Sequence, residues 1–370
     1  MLADFFFITF ILATIFQLIF WALFFSKLSY YKNNNVKKSD LQPVSVIVCA
    51  KNEAENLKNN LPKVLEQDYP NFEVIVVDDG STDNSQQILL DIKKKYPILH
   101  VINESNKELP GKKGALTKGI LAAKNEILLL TDADCFPDNS YWLKSMISQY
   151  SEEKPIVLGF SPYVKENSLL NYFIRYETAY TATQYLSFAI AGMPYMGVGR
   201  NLAYKKALFI ESKGFERHLN IASGDDDLFV NQIATKSNTQ INIQKEALVY
   251  SIPKSSWRDY YYQKRRHLST ASSYQLKHQI LLGVLAWSHL WHYLGGLILL
   301  LAYPEYLPII GISYLVRIGV VKWMLWHIMR KLHDTSLWRW VILLDASYAL
   351  YYFLFAPVLF ITGSNTKSWT

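Results

Sequence analysis

The sequence predicts an α/β domain with a mostly parallel sheet, flanked at both ends by membrane-spanning helices. Three observations predict this fold class. Apolar, strand-like runs alternate with helical segments between residues 43 and 130, polar clusters follow those runs, and long apolar stretches occupy both ends of the chain. The 370 residues suffice for one or two domains with a full core, and half of them are hydrophobic. Because the apolar excess lies at the ends, we expect a membrane protein with a soluble middle.

The N-terminal stretch predicts a membrane anchor. Residues 5–25 carry no charge and are long enough to cross a bilayer core of roughly 30 Å. The stretch lacks the basic start and the small-residue cleavage site of a signal peptide, which favours a retained anchor. Lysines follow it at Lys27, Lys32, Lys37 and Lys38. Because positive charge accumulates on the cytoplasmic side, we expect the N-terminus outside and the following domain in the cytoplasm.

Three further candidate spans lie near the C-terminus, at residues 280–302, 306–329 and 337–361. The middle one contains Arg317 and Lys322, so we expect it to face other helices or to lie partly in the interface. The first connection between these spans, YPEYLP, has no lysine or arginine, whereas the second, MRKLHDTSLWR, is basic. This alternation predicts four spans in total.

The expected organisation has four parts. Residues 1–40 form the N-terminal anchor and a basic linker, and residues 41–250 form the cytoplasmic α/β domain. Residues 251–278 form an interfacial amphipathic segment, and residues 279–370 form a C-terminal region of about three spans. The whole protein is thus expected to be integral to the inner or plasma membrane.

Charge and cysteine content exclude some alternatives. The net charge of +7 fits a surface near anionic lipid headgroups, and we expect no nucleic-acid partner. Cys49 and Cys135 lie at the ends of predicted strands in a cytoplasmic domain, where a disulfide is not expected. Two cysteines without a histidine pattern also do not predict a zinc site.

The soluble middle shows four strands separated by helices. Predicted strands cover residues 43–50, 73–77, 98–102 and 126–130, and predicted helices cover residues 52–67, 85–95 and 114–123. Apolar strands alternating with helices indicate a parallel sheet that is covered on both faces. Ligands of such sheets bind at the carboxyl ends of the strands. The polar clusters KNE, DDGS and TDAD all fall at those ends.

Three motifs of this edge have both a structural and a chemical interpretation. DDGSTDNS, from residue 78, is typical of a tight turn, although its carboxylates could also accept hydrogen bonds from a uracil or ribose. GKKGAL, at 111–116, is either a solvated loop or a cation and a helix N-terminus that suit a diphosphate. TDAD, at 131–134, is either a turn or a metal site. Extended backbone points Asp132 and Asp134 to one side, and two such carboxylates favour Mg²⁺ or Mn²⁺.

Two further motifs lie downstream. SGDDDLFVNQIA, at 223–234, begins an amphipathic helix with three aspartates. One aspartate suffices for helix capping, so another could act as a general base on a hydroxyl group. QKRRH, at 263–267, lies in an aromatic and basic stretch. It is typical of a membrane-surface helix, and its cations could also lie over a departing diphosphate.

With these five motifs in this order, the chain resembles the membrane-bound family 2 glycosyltransferases. That family includes ceramide glucosyltransferases and the hyaluronan, cellulose and poly-N-acetylglucosamine synthases. The resemblance covers roughly residues 41–270. It implies the nucleotide-sugar-binding fold called GT-A. VSVIVCAKNEAENL and VVDDGSTD look like the family's first two strands, GKKGAL is similar to its GKAGAL, and TDAD looks like its DxD motif.

The resemblance also implies roles for individual residues. It implies nucleotide-sugar contacts for Glu53, Asp78, Asp79, Lys112, Asp132, Gln263 and Arg266, and a metal-ligand role for Asp134, with Mg²⁺ or Mn²⁺ as the cofactor. GDDD looks like the motif that carries the catalytic base. Two registers place this base on Asp226, which we prefer, and a third places it on Asp225. In QKRRH, His267 stands where the family's QxxRW motif has Trp.

These roles together imply an inverting hexosyltransferase. It would move a sugar from a nucleotide-sugar, by expectation a UDP-sugar, to a membrane lipid on the cytoplasmic face and form a β-linkage. The alternative is a processive polysaccharide synthase that also exports its glycan. The missing Trp and the four predicted spans favour single transfer. A decayed, non-catalytic scaffold is disfavoured because every expected carboxylate is present, and a soluble nucleotidyltransferase is disfavoured by the spans.

Overall fold

The N-terminal helix is longer than its predicted span. The computed structural model describes residues 1–32, 41–104, 111–221 and 223–360, with side chains described to residue 355. Helix α1 (Leu2–Ile19) continues through a π-helical turn, Phe20–Phe25, into α2 (Ser26–Ser29). This segment is long and apolar enough to cross a membrane, as predicted. The predicted basic linker after residue 32 lies outside the described residues.

A seven-stranded sheet forms the centre of the described residues. The described residues form nine strands, of which seven belong to this sheet: β1 (Val44–Ala50), β2 (Phe72–Asp78), β3 (Leu99–Asn103), β4 (Ile127–Asp132), β5 (Cys135–Pro137), β6 (Ile156–Gly159), β7 (Leu202–Lys205), β8 (Thr239–Asn242) and β9 (Val249–Ser251). The order is β3-β2-β1-β4-β7-β6-β8, and β5 and β9 form a separate pair.

The first half of the sheet confirms the predicted parallel arrangement. Strands β1, β2, β3 and β4 pair in parallel, each within two residues of its predicted bounds. Strand β7 is antiparallel to both β4 and β6, whereas β6 and β8 are parallel. The sheet is therefore mostly parallel. The sequence analysis did not assign the strands after β4, because they are only three or four residues long and carry weak periodicity.

Helices cover both faces of this sheet. After the first two they are α3 (Ala54–Leu65), α4 (Ser85–Lys95), α5 (Lys113–Ala122), α6 (Trp142–Ser148), α7 (Leu169–Ile190), α8 (Lys206–Glu211), α9 (Asp227–Ile233) and α10 (Trp257–Leu268). Helix α7, with 22 residues, was not predicted. It is buried along most of its length, so it has no polar face that would produce a clear 3.6-residue period.

Alternate residues of each central strand belong to different cores. In β1, Val46 and Val48 pack with helices α3 and α6 on one face. Ile47 and Cys49 pack with α5 and α7 on the other face, because successive side chains of a strand point to opposite sides. The second core continues without a break into the membrane helices, where it includes Phe25. The α/β domain and the apolar helices thus share one core.

Three helices complete the C-terminal region: α11 (Leu276–Ala302), α12 (Leu307–Lys331) and α13 (Val341–Phe360). Among the described residues, the segments Leu276–Ala302 and Pro304–Lys331 are long and apolar enough to span a membrane. The predicted fourth span begins with a 3₁₀ turn, Thr335–Trp340, before α13. Its last predicted residue, 361, lies outside the described residues.

Candidate active site

The ends of the parallel strands meet at one level of the sheet edge. Ala50, the last residue of β1, pairs with Asp78, the last residue of β2. One step earlier, Cys49 pairs with Asp132, the last residue of β4. The KNE, DDGS and TDAD clusters therefore emerge side by side, as expected for a parallel sheet.

Hydrogen bonds join the loops that follow β1 and β2. Asn52 adopts a left-handed backbone, with φ of 55°, and its side-chain oxygen accepts from the Thr82 N–H at 2.8 Å. The Asn52 N–H donates to Ser81 Oγ at 2.9 Å, and the Glu53 N–H donates to Ser85 Oγ at 3.0 Å. Asparagine tolerates this backbone better than most residues do. The turn residues of both motifs thus build one polar rim.

Two buried carboxylates lie at the end of β2. Asp78 and Asp79 are both at most 1% exposed. One oxygen of Asp78 accepts from the backbone and hydroxyl of Ser81. The other oxygen, Oδ2, has no hydrogen-bond partner among the described residues. Because an unpaired buried carboxylate oxygen costs free energy, a ligand hydroxyl or N–H would satisfy it, as expected for a base or ribose contact.

Lys112 connects the carboxylates of two motifs. Its Nζ donates to Asp132 Oδ1 and lies 3.4 Å from Asp225 Oδ2. Although burial lowers it, the charges of these two carboxylates raise the pKa of Lys112 well above its usual value. The amine is therefore a permanent cation beside the strand ends, directly before helix α5. Such a cation at a helix N-terminus suits a diphosphate.

The TDAD motif has a donor set that fits a hard divalent cation. Ligand atoms of Asp132, Asp134 and Cys135 all lie within 4.8 Å of one another. Burial, and next the charge of Asp132, raise the pKa of Asp134. Burial raises the pKa of Cys135 well above its usual value, so the thiol stays protonated, and its Sγ lies 3.2 Å from Asp134 Oδ1 as a donor. Mg²⁺ or Mn²⁺ on the two carboxylates would relieve their repulsion.

The three aspartates of GDDD have different surroundings. Asp227 is buried and accepts from Thr270 Oγ1 at 2.5 Å and from Tyr274 OH at 2.7 Å. These bonds connect the start of α9 to the segment after α10, so Asp227 is structural. Asp225 instead lies against Lys112, on the side of the strand ends.

Asp226 is fixed by backbone groups. Its Oδ2 accepts from the Gly199 N–H at 2.6 Å, and its Oδ1 accepts from the Asp227 N–H at 2.8 Å. A Cβ atom on Gly199 would lie 3.2 Å from the Cβ of Asp226, so only glycine allows this approach without displacement. Burial, followed by the charges of Asp225 and Asp227, raises the pKa of Asp226 to about 7. A carboxyl group with this pKa can exchange a proton near neutrality.

Arg200 is a part of this region to which the sequence analysis gave no role. Its Nη1 donates to Ser251 Oγ at 2.7 Å, and its guanidinium lies 4.8 Å from the ring centroid of Tyr163. Ser251 Oγ in turn lies 2.9 Å from Cys135 Sγ. Arg200 lies in the stretch GVGRNLAYKK, and no motif or residue spacing in this stretch predicts that the arginine belongs to the site. Only the pairing of β9 with β5 brings Ser251 beside the TDAD motif.

The side chains of the QKRRH motif on helix α10 have different surroundings. Lys264 is buried and forms an ion pair with Glu177 of α7 at 2.5 Å. Gln263 and Arg266, three residues apart, share a face of the helix. The charge of Arg266 reaches Asp132, whose pKa is lowered against the effect of burial, chiefly by Lys112. The structure thus gives Lys264 a packing role, and the role predicted for Arg266 stays a prediction.

Comparisons with known proteins show which family the first half of the chain resembles. The model of the family described as Glycosyl transferase family 2 matches residues 45–211. The poly-beta-1,6-N-acetyl-D-glucosamine synthase of Staphylococcus epidermidis is 35% identical over 133 residues, 34% of this chain and 32% of the relative. The beta-monoglucosyldiacylglycerol synthase of a Nostoc species is 37% identical over 93 residues, 25% of this chain and 20% of the relative. These alignments span a third or less of each relative's length.

A solved structure shares the fold over almost the whole chain. It is the mannosyltransferase PcManGT from Pyrobaculum calidifontis, in complex with GDP-Man and Mn²⁺. The TM-score is 0.62 at 19% identity, covering 94% of this chain and 97% of the other. Residues 45–211 are thus similar to the family 2 glycosyltransferases, and the chain has the fold called GT-A. The chain also has apolar helices near both ends that are long enough to cross a membrane.

Proposed function

We propose that this protein moves one sugar from a nucleotide-sugar to a membrane lipid, with inversion to a β-linkage. The observation that carries the proposal is the meeting of the Lys112 cation, the Asp132 and Asp134 carboxylates, and the Asp225–Asp226 pair at one sheet edge. The donor is proposed to be a UDP-sugar, with Asp78 and Asp79 on its uridine and Glu53 near the base. The three apolar helices share a core with this domain, which supports an acceptor in the bilayer.

The proposed reaction is a single displacement. Asp226 accepts the proton of the acceptor hydroxyl group. The oxygen of that hydroxyl group attacks the anomeric carbon of the sugar. The bond from that carbon to the diphosphate breaks, UDP leaves with the electron pair, and the α-linked donor becomes a β-linked product. Lys112 and Arg266 hold the leaving diphosphate, with Gln263 on the same face as Arg266. A Mg²⁺ or Mn²⁺ ion on Asp134, when bound, would neutralise part of the diphosphate charge.

The backbone contacts of Asp226 support its role. Two N–H groups fix the orientation of its carboxyl group, and each oxygen keeps a second lone-pair direction for a hydroxyl group. Asp225 is the alternative base, and it lies closer to the proposed diphosphate contact, Lys112. The catalytic domain is proposed to face the cytoplasm, where nucleotide-sugars are made available.

A processive polysaccharide synthase is the second candidate function. It is favoured by the match to a poly-beta-1,6-N-acetyl-D-glucosamine synthase, whereas the match to a glycolipid synthase favours single transfer. His267, in place of the family's Trp beside the acceptor, also favours single transfer. The length of the product distinguishes the two.

The test is a transfer assay with detergent-purified protein, Mn²⁺, total membrane lipid and a panel of UDP- and GDP-sugars. Mass spectrometry of the products should show a lipid that gains one hexose or N-acetylhexosamine. Asp226→Asn should lower the rate by about 10²–10⁴-fold, the usual contribution of a general base. Asp91→Asn is the control, because Asp91 is an exposed carboxylate on α4 whose partners among the described residues, Lys94 and Gln87, lie on its own helix.

Each other outcome has a defined meaning. A ladder of sugars would establish the processive synthase. Loss of activity in Asp225→Asn, with activity retained in Asp226→Asn, would move the base to Asp225. If the wild type transfers no sugar but binds UDP, the acceptor class is wrong. If it neither transfers sugar nor binds UDP, the catalytic proposal fails.

A further inference from the structure

The second lysine of GKKGAL has no role in the proposed reaction, yet it is fully buried. Lys113 is the first residue of helix α5 and has no exposed surface. Its neighbour Lys112 points to Asp132 and Asp225, whereas Lys113 points away to another segment. A buried amine is costly unless it has hydrogen-bond partners, so the partners of Lys113 show what its burial stabilises.

Those partners are backbone carbonyls of the segment that leads into GDDD. Lys113 Nζ donates to the His218 carbonyl and to the Ile221 carbonyl, each at 2.5 Å. Ile221 lies only four residues before Asp225. The described part of this segment otherwise has little regular structure, with one 3₁₀ turn at Glu216–His218. Phe215, Leu219 and Ile221 pack against the apolar core, and the two hydrogen bonds from Lys113 fix the backbone between them.

The surrounding charges are consistent with this contact. Burial lowers the pKa of Lys113 to about 8, and the carboxylates of Asp225 and Asp227 oppose this effect. The amine is thus within the field of the GDDD carboxylates without forming an ion pair with them among the described residues.

We propose that Lys113 is a positioning residue that ties the segment carrying Asp225 and Asp226 to the helix whose N-terminus carries Lys112. The two adjacent lysines then have different roles. Lys112 contacts the donor side, and Lys113 sets the distance between the donor side and the catalytic base. The inference rests on the proposed function, because its consequence is the alignment of base and donor. Misplacing a catalytic group by about 1 Å can cost about 10²-fold in rate.

The chain offers a matched control. Lys206 also donates to two backbone carbonyls, those of Leu121 at 3.2 Å and Ala123 at 2.7 Å. These lie at the opposite end of helix α5, away from the carboxylates. Lys113→Met and Lys206→Met therefore remove the same kind of contact from the two ends of one helix.

The experiment measures three quantities on the full-length protein in detergent for both variants. They are the transfer rate, the affinity for UDP with Mn²⁺ by calorimetry, and hydrogen exchange of residues 215–227. We expect Lys113→Met to lower kcat at least tenfold while UDP affinity stays within twofold. Exchange of the 215–227 amides should rise in this variant alone. Lys206→Met should leave all three quantities within twofold of the wild type.

Several results would overturn the inference. They are a kcat of Lys113→Met within twofold of the wild type, a parallel loss of UDP affinity and kcat, or unchanged exchange of residues 215–227. If Lys113→Met does not fold, Lys113→Gln repeats the test, because its amide can still donate to one carbonyl. If the wild type transfers no sugar, the proposed function fails, while hydrogen exchange still decides whether Lys113 holds the segment.

Discussion

Among single residues, Asp226 gives the sharpest prediction. Its pKa is raised to about 7, so it is largely protonated below pH 7 and cannot accept a proton there. We expect kcat to fall about tenfold per pH unit on the acid side, with a midpoint near 7. The measurement is the transfer rate from pH 5 to pH 9 at saturating donor. An acid midpoint near 4 would contradict the assignment of the base to Asp226.

The same pKa shift predicts a gain in stability when the carboxylate is removed. A carboxyl group whose pKa is raised by folding binds more protons in the folded state, so it makes the protein less stable as pH rises from about 4 to 7. Asp226→Asn should therefore raise the melting temperature at pH 8 and have little effect at low pH. Asp227→Ala should lower the melting temperature both at pH 8 and at low pH, because Thr270 and Tyr274 lose their buried acceptor.

The elements with strong local sequence patterns could be predicted from the sequence alone. The strands from β1 to β4 are apolar runs bounded by turn residues, so their ends, and the carboxylates after them, could be predicted. Ser251 and Arg200 could not be predicted, because their contacts depend on β9 pairing with β5 more than a hundred residues away. Lys113 was also missed, since two adjacent lysines give no indication of which one is buried.

Helix α5 gives a prediction at the scale of elements. A Cβ atom on Gly119 would lie 2.7 Å from Ile47 Cγ2 of β1 and 3.1 Å from Val77 Cγ2 of β2. Gly119→Ala should therefore push the helix from the sheet and destabilise the protein, since overpacking costs about 1–3 kcal/mol. Gly283→Ala is the control, because nothing lies within 4 Å of that position and alanine favours a helix. Thermal melting of both variants is the measurement, and equal melting temperatures would show that α5 does not pack this closely.

At the scale of the whole molecule, one buried ion pair connects the apolar helices. Arg317 of α12 and Asp345 of α13 are at most 2% exposed and lie 2.5 Å apart. Arg317 also donates to Gln17 of α1, and Asp345 accepts from Tyr293 of α11. The sequence predicted that the span with Arg317 faces other helices or lies partly in the interface, but Asp345 could not be identified as its partner within an aromatic stretch. Each apolar helix thus contributes at least one group to this cluster.

The cluster extends to the catalytic domain, because Tyr176 of α7 donates to Asp345 Oδ1 at 3.2 Å. We therefore expect Arg317→Met and Asp345→Leu each to lower the free energy of unfolding by about 3–5 kcal/mol, since each leaves an unpaired buried charge. The double variant should lose less than the sum, with a coupling energy of about 1–3 kcal/mol. Thermal or denaturant unfolding in detergent measures all three variants.

The exposed pair Lys205–Glu152 is the control for this cycle. Its side chains are 31% and 61% exposed, so its coupling energy should lie below about 1 kcal/mol. Additive losses at Arg317 and Asp345 would mean that the pair does not hold the helices together. A third outcome is a large coupling energy accompanied by loss of transfer activity in both single variants. It would mean that the arrangement of the apolar helices, transmitted through α7, sets the geometry of the catalytic domain.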